Sequence, residues 1–476
     1  MASKKYIDMK TYNKILFVTL STVLLLSSCN GWLDISPKSS LKKEDLFKTE
    51  GGYLNVLNGV YIGMVNDRLY GQELTYGFMD VLAQYYNNIP STPLHKYANA
   101  SKYKYEEAAT KGIITNIWNS MYNNIANCNV ILDNIDADKE IFTDNNYNRV
   151  KGEALALRAF MHFDLLRMFA PAYNTATKNL SGIPYVDKFT NIRIPFSSID
   201  AVCIRIKQDL IAARDLLKEF DLMGPVDETV DASLSYTVAD RKAWFNYYAA
   251  TALLARLNLY MGDKVAALGY VDEITTDHAK TKISWSQQTQ FYYYFYSRER
   301  IFGVFIVLDP YMKSKVTDYF DIATANNNNI LKVSIQRTME LYETSSGGAS
   351  DWRYLDWMSK TDDNYITKFN TLSGIPVLKL AEIYLIGAEC TMVSDPVKSL
   401  SYLNTIRTNR GLPALQSNAN LSDEIHKEYV KEFLGEGQLF YFYKRNSYGN
   451  IPYWGTPVDN KEYVFPVPDK EMEFNN

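Results

Sequence analysis

Apolar residues recur at three- and four-residue spacings through much of the chain, a pattern typical of amphipathic α-helices. In residues 112–135 the apolar side is formed by Ile114, Ile117, Trp118, Met121, Ile125 and Cys128. The same spacing predicts further helices over residues 152–169, 197–220, 241–260, 263–274, 380–393 and 395–411. The pattern therefore predicts a mainly α-helical fold.

Polar and conformationally special residues mark the ends of these helices. Ser197–Asp200 has the form of a capping box, in which side chains at both ends of the first turn satisfy free backbone amides. Asp263 and Asp395 stand where N-caps are expected, and Pro396 suits the first helical position. Gly262 is suited to end a helix in the left-handed conformation. Short connections of this kind predict antiparallel helix pairs.

The helix pairs resemble tetratricopeptide units, most clearly over Ala252–Gly262, where small residues allow a second helix to approach closely. The pairs are not evenly spaced, because insertions at about 66–109 and 283–371 separate them. Irregular insertions on a rigid scaffold commonly carry binding function. Within the second insertion, Arg300–Leu308 and Leu331–Gln336 are predicted to be short strands.

The N-terminus predicts export. Four lysines precede an apolar run, Ile15–Leu26, which is too short to span a bilayer because that needs about 20 residues. Such a run is typical of a secretory signal. Leu26-Ser27-Ser28-Cys29 resembles the bacterial lipobox, which predicts a signal peptide at 1–28, lipidation of Cys29 and a single domain over 29–476. An ordinary signal peptide with a chance cysteine is the alternative.

Composition narrows the possible ligands. The chain carries a formal net charge of −4, and removal of the lysine-rich leader makes the rest more acidic, which argues against nucleic acid as a ligand. Tyrosine is abundant, with 37 Tyr against 22 Phe, and combines an apolar face with a polar tip. Packing between helices accounts for many of them. Cys128, Cys203 and Cys390 have no metal-like spacing and are interpreted as small apolar residues.

The motifs of common enzyme classes are missing from the sequence. The four histidines are scattered, without metal-ligand spacing. No phosphate-binding loop, dinucleotide fingerprint or nucleophile elbow is present. We therefore predict no catalytic residue, no metal and no cofactor, although a spatial pair of carboxylates could still make a glycoside hydrolase.

Several segments, taken together and in order, resemble the RagB/SusD family of outer-membrane nutrient-binding lipoproteins. They are Cys29–Pro37, Glu153–Phe160, Phe163–Phe169, Ile375–Glu389, Leu403–Arg407, Glu432–Gly437 and Phe465–Pro468. The chain departs from the family at Ala170-Pro171, where members usually carry Gly. Arg158, Glu382, Glu389 and Arg407 lie in or beside these motifs and are interpreted as buried or half-buried ion pairs.

The resemblance implies a SusD-like α-helical fold with a few short strands, anchored by lipid on the outer face of the outer membrane. It implies a SusC-like TonB-dependent transporter as partner and an oligosaccharide ligand, without catalysis. Two alternatives remain: a peptide-capturing lipoprotein of the same architecture, and a helical interaction scaffold that binds only protein.

The resemblance places the ligand site in the two insertions without a motif of its own. We therefore predict ligand contacts from Tyr70, Asp80, Tyr85, Tyr86 and Asn87 in the first, and from Tyr311 and Tyr319 in the second. Tyr85-Tyr86-Asn87 is the preferred stacking platform with a polar partner. Core packing or contact with the transporter is the rival interpretation of each tyrosine.

Overall fold

The structure is a computed structural model. It describes residues 46–89, 94–223, 241–276, 283–291, 298–305, 316–320, 328–359, 365–369 and 374–473. The chain divides into two compact units, Met1–Thr49 and Glu50–Asn476, and the second is described below. The predicted signal peptide and Cys29 lie outside the described residues.

Helices dominate the second unit, which confirms the predicted fold class. The α-helices are α1 (Glu50–Val65), α2 (Phe78–Val81), α3 (Ala108–Asn134), α4 (Asn146–Phe169), α5 (Ile199–Met223), α6 (Tyr247–Tyr260), α7 (Lys264–Thr275), α8 (Ile335–Tyr342), α9 (Trp352–Trp357), α10 (Leu380–Thr391), α11 (Pro396–Thr408), α12 (Leu421–Phe433), α13 (Leu439–Arg445), α14 (Asn460–Tyr463) and α15 (Asp469–Glu473). The strands are β1 (Ser181–Pro184), β2 (Phe196–Ser198), β3 (Arg300–Phe305) and β4 (Gly374–Lys379). They form two antiparallel pairs, β1 with β2 and β3 with β4.

Helix α4 is the centre of the scaffold. It packs against both α3 and α5, and every residue from Gly152 to Phe169 is buried. Gly152 allows this packing, because a Cβ there would lie 2.7 Å from Leu217 of α5. Glu153–Phe160 and Phe163–Phe169, two of the family-like segments, therefore belong to one helix enclosed by its neighbours.

The second half repeats this arrangement, with α10 packed against α7 and α11. A Cβ on Gly387 of α10 would lie 2.9 Å from the Tyr402 ring of α11, so the small residue sets the distance between these helices. Asp263 and Asp395 cap α7 and α11 by accepting hydrogen bonds from Ala266 and Lys398 amides at 3.0 Å. The predicted caps at Asp263 and Asp395 and the predicted pairing of these helices are confirmed.

The predicted ion pairs are also present. Arg158 pairs with Asp209, Glu382 with Arg256, Glu389 with Arg445, and Arg407 with Glu428. Each pair joins two different helices of the scaffold. A buried charge without its partner is costly, so these pairs fix helix register.

Three local predictions are wrong. Residues 241–260 do not form one helix: a 3-10 turn at Arg241–Ala243 comes first, and Asn246 then caps α6 by accepting from the Ala249 amide at 2.9 Å. Leu331–Gln336 is not a strand, because Ser334 accepts from the Arg337 amide at 3.2 Å and opens α8. The N-terminal cap of α5 is Ser198, which accepts from the Ala201 amide at 3.2 Å, one residue later than predicted.

The interpretation of the three cysteines as small apolar residues agrees with the structure, and one of the scattered histidines also lies in the core. Cys128, Cys203 and Cys390 are free and buried. His162 is a satisfied core residue: its Nδ1 lies 2.9 Å from the Arg158 carbonyl oxygen and its Nε2 accepts from the Val186 amide. Across the described residues, no helix has both the length and the apolar character needed to cross a bilayer.

Candidate functional site

The two predicted insertions meet in space. The amide of Asn87 donates to the Lys332 carbonyl at 3.0 Å, and the Asn88 side chain donates to the Ile330 carbonyl at 2.6 Å. The Lys332 amide returns a bond to the Asn88 side chain at 3.0 Å. Segments about 240 residues apart in sequence thus form one continuous structure, which the sequence could not establish.

The same two insertions also contribute to a buried cluster of tyrosines and polar groups. The Tyr97 hydroxyl donates to Glu73 at 3.0 Å, and Gln72 donates to the Tyr97 and Tyr319 hydroxyls at 2.9 and 3.3 Å. The Tyr97 and Tyr319 rings stack with centroids 5.9 Å apart. Burial raises the pKa of Glu73 above its ordinary value, and the Lys96 ammonium opposes that shift. Tyr319, predicted to face ligand, belongs to this interior cluster.

Two other predicted ligand residues are structural. The Asp80 side chain is fully buried and accepts hydrogen bonds from the Gly435 and Gly437 amides. The Tyr70 hydroxyl donates to Asp164 of α4 at 2.8 Å. Both side chains bond to the scaffold instead of facing solvent, because in this structure the first insertion folds back against the helices.

The predicted stacking platform is also turned inward. Tyr85 and Tyr86 are only 4% and 3% exposed, and the Tyr85 hydroxyl lies 3.1 Å from that of Tyr443. Asn87 alone in this triplet is exposed. A sugar needs an open ring face, so the expectation that these two rings form the platform is corrected. Tyr311 lies outside the described residues.

An exposed ring, Tyr453, lies against Tyr85, and it was not among the residues predicted from the sequence. Tyr453 is 42% exposed and meets the Tyr85 ring edge-on, with centroids 5.5 Å apart. The guanidinium of Arg337 lies 4.0 Å from the Tyr453 centroid, and Arg337 also donates to the Gln84 and Tyr85 carbonyls at 3.0 Å each. Tyr453 is thereby held against the first and second insertions at once.

The backbone presents Tyr453 to solvent by a strained conformation. Its φ is +64°, in the left-handed region that bulky residues rarely adopt. The next residue, Trp454, packs edge-on against Tyr103 at 4.9 Å and anchors the turn. Strain of this kind persists where the surroundings enforce it, often at binding sites. The signal in the sequence was Pro452-Tyr453-Trp454-Gly455, two aromatics between turn-forming residues.

Polar groups surround this ring. The Tyr453 hydroxyl donates to Glu340 at 3.4 Å, and Gln336 donates to the same carboxylate at 2.8 Å. Burial, with Glu340 nearby, raises the pKa of Tyr453, so the phenol stays protonated and can donate. Asn87 lies two residues from Tyr85, a chain distance of at most about 7 Å. We call Asn87, Gln336, Arg337, Glu340 and Tyr453 the Tyr453 surface.

The arrangement provides groups suited to molecular recognition. The exposed Tyr453 residue, with the Arg337 guanidinium over its ring, lies beside a carboxylate and two amides, and these polar groups can pair with both hydroxyl donors and acceptors. Among the described residues, no three His, Cys, Asp or Glu side chains group closely enough to hold a metal ion. The fold is mainly α-helical, and the Tyr453 surface is its candidate binding site.

Comparison with known proteins gives the family. Residues 31–225 match SusD-like_3, described as "Starch-binding associating with outer membrane", and residues 308–476 match SusD_RagB, described as "SusD family". The chain belongs to the SusD/RagB family. Members of this family are carbohydrate-binding proteins associated with the outer membrane, and they act by binding rather than by catalysis.

Individual relatives are distant. "SusD-like protein P25" of Formosa agariphila is 24% identical over 168 residues, covering 34% of this chain and 31% of that protein. A SusD superfamily protein of Bacteroides thetaiotaomicron superposes with a TM-score of 0.71 at 20% identity, covering 90% of this chain and 98% of its own. A SusD-like carbohydrate-binding protein of Bacteroides vulgatus gives 0.70 at 23%, covering 90% and 96%. At these identities the superpositions establish the SusD-like fold.

Proposed function

We propose that this chain is a lipid-anchored protein of the cell surface that captures oligosaccharide and passes it to a SusC-like TonB-dependent transporter, without catalysis. The observation that carries the proposal is the Tyr453 surface. There an exposed ring, held by Arg337 and Tyr85, lies where both insertions meet. The printed description of the Bacteroides vulgatus neighbour as carbohydrate-binding supports the same ligand class.

The chemistry of the Tyr453 surface suits a sugar. The C–H face of a pyranose packs against an aromatic ring, while its hydroxyls need both donors and acceptors around the rim. Arg337 and Asn87 supply donors, Glu340 supplies an acceptor, and the ring supplies the apolar face. Each contact is modest, and such binding permits release to a transporter.

The anchor rests on the sequence alone. Cys29 follows a short apolar run and two serines, and lipidation through more than one acyl chain holds a protein stably at a membrane. Metabolic labelling with an alkyne fatty acid should mark the wild-type chain and not Cys29→Ser. Equal labelling of both would refute Cys29 as the lipid site.

The ligand proposal is tested by isothermal titration of the mature chain, extracted in mild detergent, against panels of oligosaccharides and peptides. We expect saccharide binding without product formation. Tyr453→Ala should weaken it about tenfold or more, since an aromatic contact with its buried area contributes about 1.5 kcal/mol. Phe189→Ala is the matched control, because Phe189 is 51% exposed and is not part of the Tyr453 surface.

Other outcomes separate the remaining classes. If the wild type binds peptide and Tyr453→Ala abolishes that binding, the proposed site is right and the ligand is a peptide. Binding to the transporter with no small ligand would indicate a protein scaffold, and release of cleaved sugar would indicate a hydrolase. Saccharide affinity unchanged by Tyr453→Ala would place the site elsewhere.

A further inference from the structure

A second cluster of binding groups lies inside the helical scaffold. Side chains of α4, α6, α10, α12 and α13 line a cavity of about 40 Å³. None of the lining residues belongs to the Tyr453 surface. Three of its polar side chains, Arg167, Arg256 and Tyr441, come from three different helices, and all are more than nine-tenths buried.

The guanidinium of Arg256 is only partly used. Its Nε and Nη2 donate to Glu382 at 2.5 and 2.6 Å, and Nη2 also donates to the Val377 carbonyl at 3.1 Å. Its Nη1 has no acceptor among the described residues. A buried donor left without an acceptor lowers the stability of the fold by about 1–3 kcal/mol. An acceptor bound in the cavity would remove this cost for Nη1.

Arg167 and Tyr441 also have buried donor atoms without an acceptor in the described structure. Arg167 donates to Asp164 through Nη2 and to Gln438 through Nη1, while its Nε has no acceptor in the described part of the chain. Its guanidinium stacks on the Tyr441 ring at 3.8 Å. The Tyr441 hydroxyl likewise has no described partner. Three buried donors therefore line one cavity without acceptors.

Four basic side chains lie at or beside the cavity. Three arginines are each paired with one carboxylate: Arg167 with Asp164, Arg256 with Glu382, and Arg445 with Glu389. Lys444 is buried next to them and donates to the Arg167 carbonyl at 2.6 Å, with no carboxylate bonded to it in the described structure. Burial lowers the pKa of Lys444 well below its ordinary value, and the nearby Arg167 guanidinium lowers it further. A bound anion would favour the charged form of this ammonium group.

We propose that this cavity binds a small inorganic anion of the halide class, with chloride as the physiological ligand. Its volume exceeds the roughly 10–15 Å³ that one water needs. A water molecule brings two further donors into a site already rich in donors. A halide only accepts hydrogen bonds, and its negative charge favours the charged form of Lys444. Held by Arg167, Arg256 and Tyr441, the ion connects α4, α6 and α13.

The experiment measures thermal unfolding of the mature chain in sodium gluconate, chloride or bromide at constant ionic strength. Chloride and bromide should raise Tm saturably above gluconate. Tyr441→Phe removes one donor with little change of volume and should raise the apparent halide Kd about tenfold, the equivalent of one hydrogen bond to a charged group. Tyr76→Phe is the control, since its hydroxyl is also buried without a described partner but lies elsewhere.

A crystal grown in bromide gives a second readout that does not depend on the variant folding. An anomalous peak between Arg167, Arg256 and Tyr441 supports the proposal. Equal Tm in all three salts, or ordered water without bromide at this place, overturns it. An equal loss of halide response in Tyr441→Phe and Tyr76→Phe also overturns it.

Discussion

The carboxylate of Asp80 accepts a hydrogen bond from the amide of Gly435 at 2.9 Å. A second bond comes from the Gly437 amide at 3.1 Å, so one residue of the first insertion fixes the turn between α12 and α13. Both glycines have positive φ, +87° and +69°, which glycine adopts without steric cost. The Glu432–Gly437 motif thus stabilises the scaffold, and Asp80 is its partner.

Asp80→Asn should therefore destabilise the fold. An amide offers one oxygen and turns an NH₂ group toward backbone donors, so one of the two amides loses its acceptor. We expect the free energy of unfolding to fall by about 1–3 kcal/mol, measured by urea titration. Asp144→Asn is the control, because Asp144 is exposed in a loop and should change stability by less than about 0.5 kcal/mol. Equal effects at both positions would contradict this role.

The pair of Arg158 and Asp209 gives a second prediction. Arg158 donates to both carboxylate oxygens, at 2.7 and 2.8 Å, and is buried. Asp209→Asn leaves a buried guanidinium without its counter-charge and should cost about 3–5 kcal/mol in unfolding free energy.

The control for that pair is the exposed pair nearby. Arg205 and Asp187 form an ion pair in which both side chains are more than a third exposed. Asp187→Asn should cost about 0–1 kcal/mol, as for other surface pairs. Similar losses in Asp187→Asn and Asp209→Asn would show that burial does not set the difference.

Gly387 and Gly269 test the packing between helices. Gly387→Ala should lower the unfolding free energy by about 1–3 kcal/mol, because its Cβ would meet the Tyr402 ring at 2.9 Å. Gly269 is also helical, but nothing lies within 4 Å of a Cβ there. Gly269→Ala should stabilise the protein by about 0.5–1 kcal/mol. The same sign of change at both positions in thermal unfolding would sink this explanation.

His162 should make the fold sensitive to acid. Burial lowers the pKa of His162 to about 3, against about 6.5 in an unfolded chain. Between these values the unfolded chain binds the extra proton, so this contribution to stability is present above pH 6.5 and is lost as pH falls toward 3.

The corresponding measurement compares His162→Gln with wild type from pH 4 to 8. The stability advantage of the wild type should shrink as pH falls, by at most about 1.4 kcal/mol per pH unit. A difference that stays constant with pH would mean that His162 does not titrate on unfolding.

Much of the scaffold could be predicted because its signals are local. Helix spacing, Asp263, Asp395 and Gly262 act within about four residues of themselves, through backbone amides and carbonyls of the same turn. One prediction from a local pattern was wrong. Leu331–Gln336 alternates between apolar and polar residues like a strand, yet Ser334 caps a helix there. The alternating pattern favours a strand and the Ser334 cap favours a helix. The helix that forms, α8, contacts α12.

Ion pairing could be predicted only in part. The placement of Arg158, Glu382, Glu389 and Arg407 on apolar helices showed that each needed a counter-charge. The partners could not be named, since Glu382 finds Arg256 across 126 residues of sequence. The need for a partner follows from the residue alone, whereas its identity follows from helix packing.

The candidate site could be predicted least of all these features. By itself the sequence determined a mainly helical chain with tyrosine-rich insertions, because periodicity, caps and composition are properties of neighbouring residues; export remains a prediction from the N-terminus. Only the tertiary structure decided that Tyr85 faces inward to Tyr443 while Tyr453 faces solvent. A tyrosine is equally suited to a core and to a binding surface, so its exposure is set by segments hundreds of residues away that fold over it.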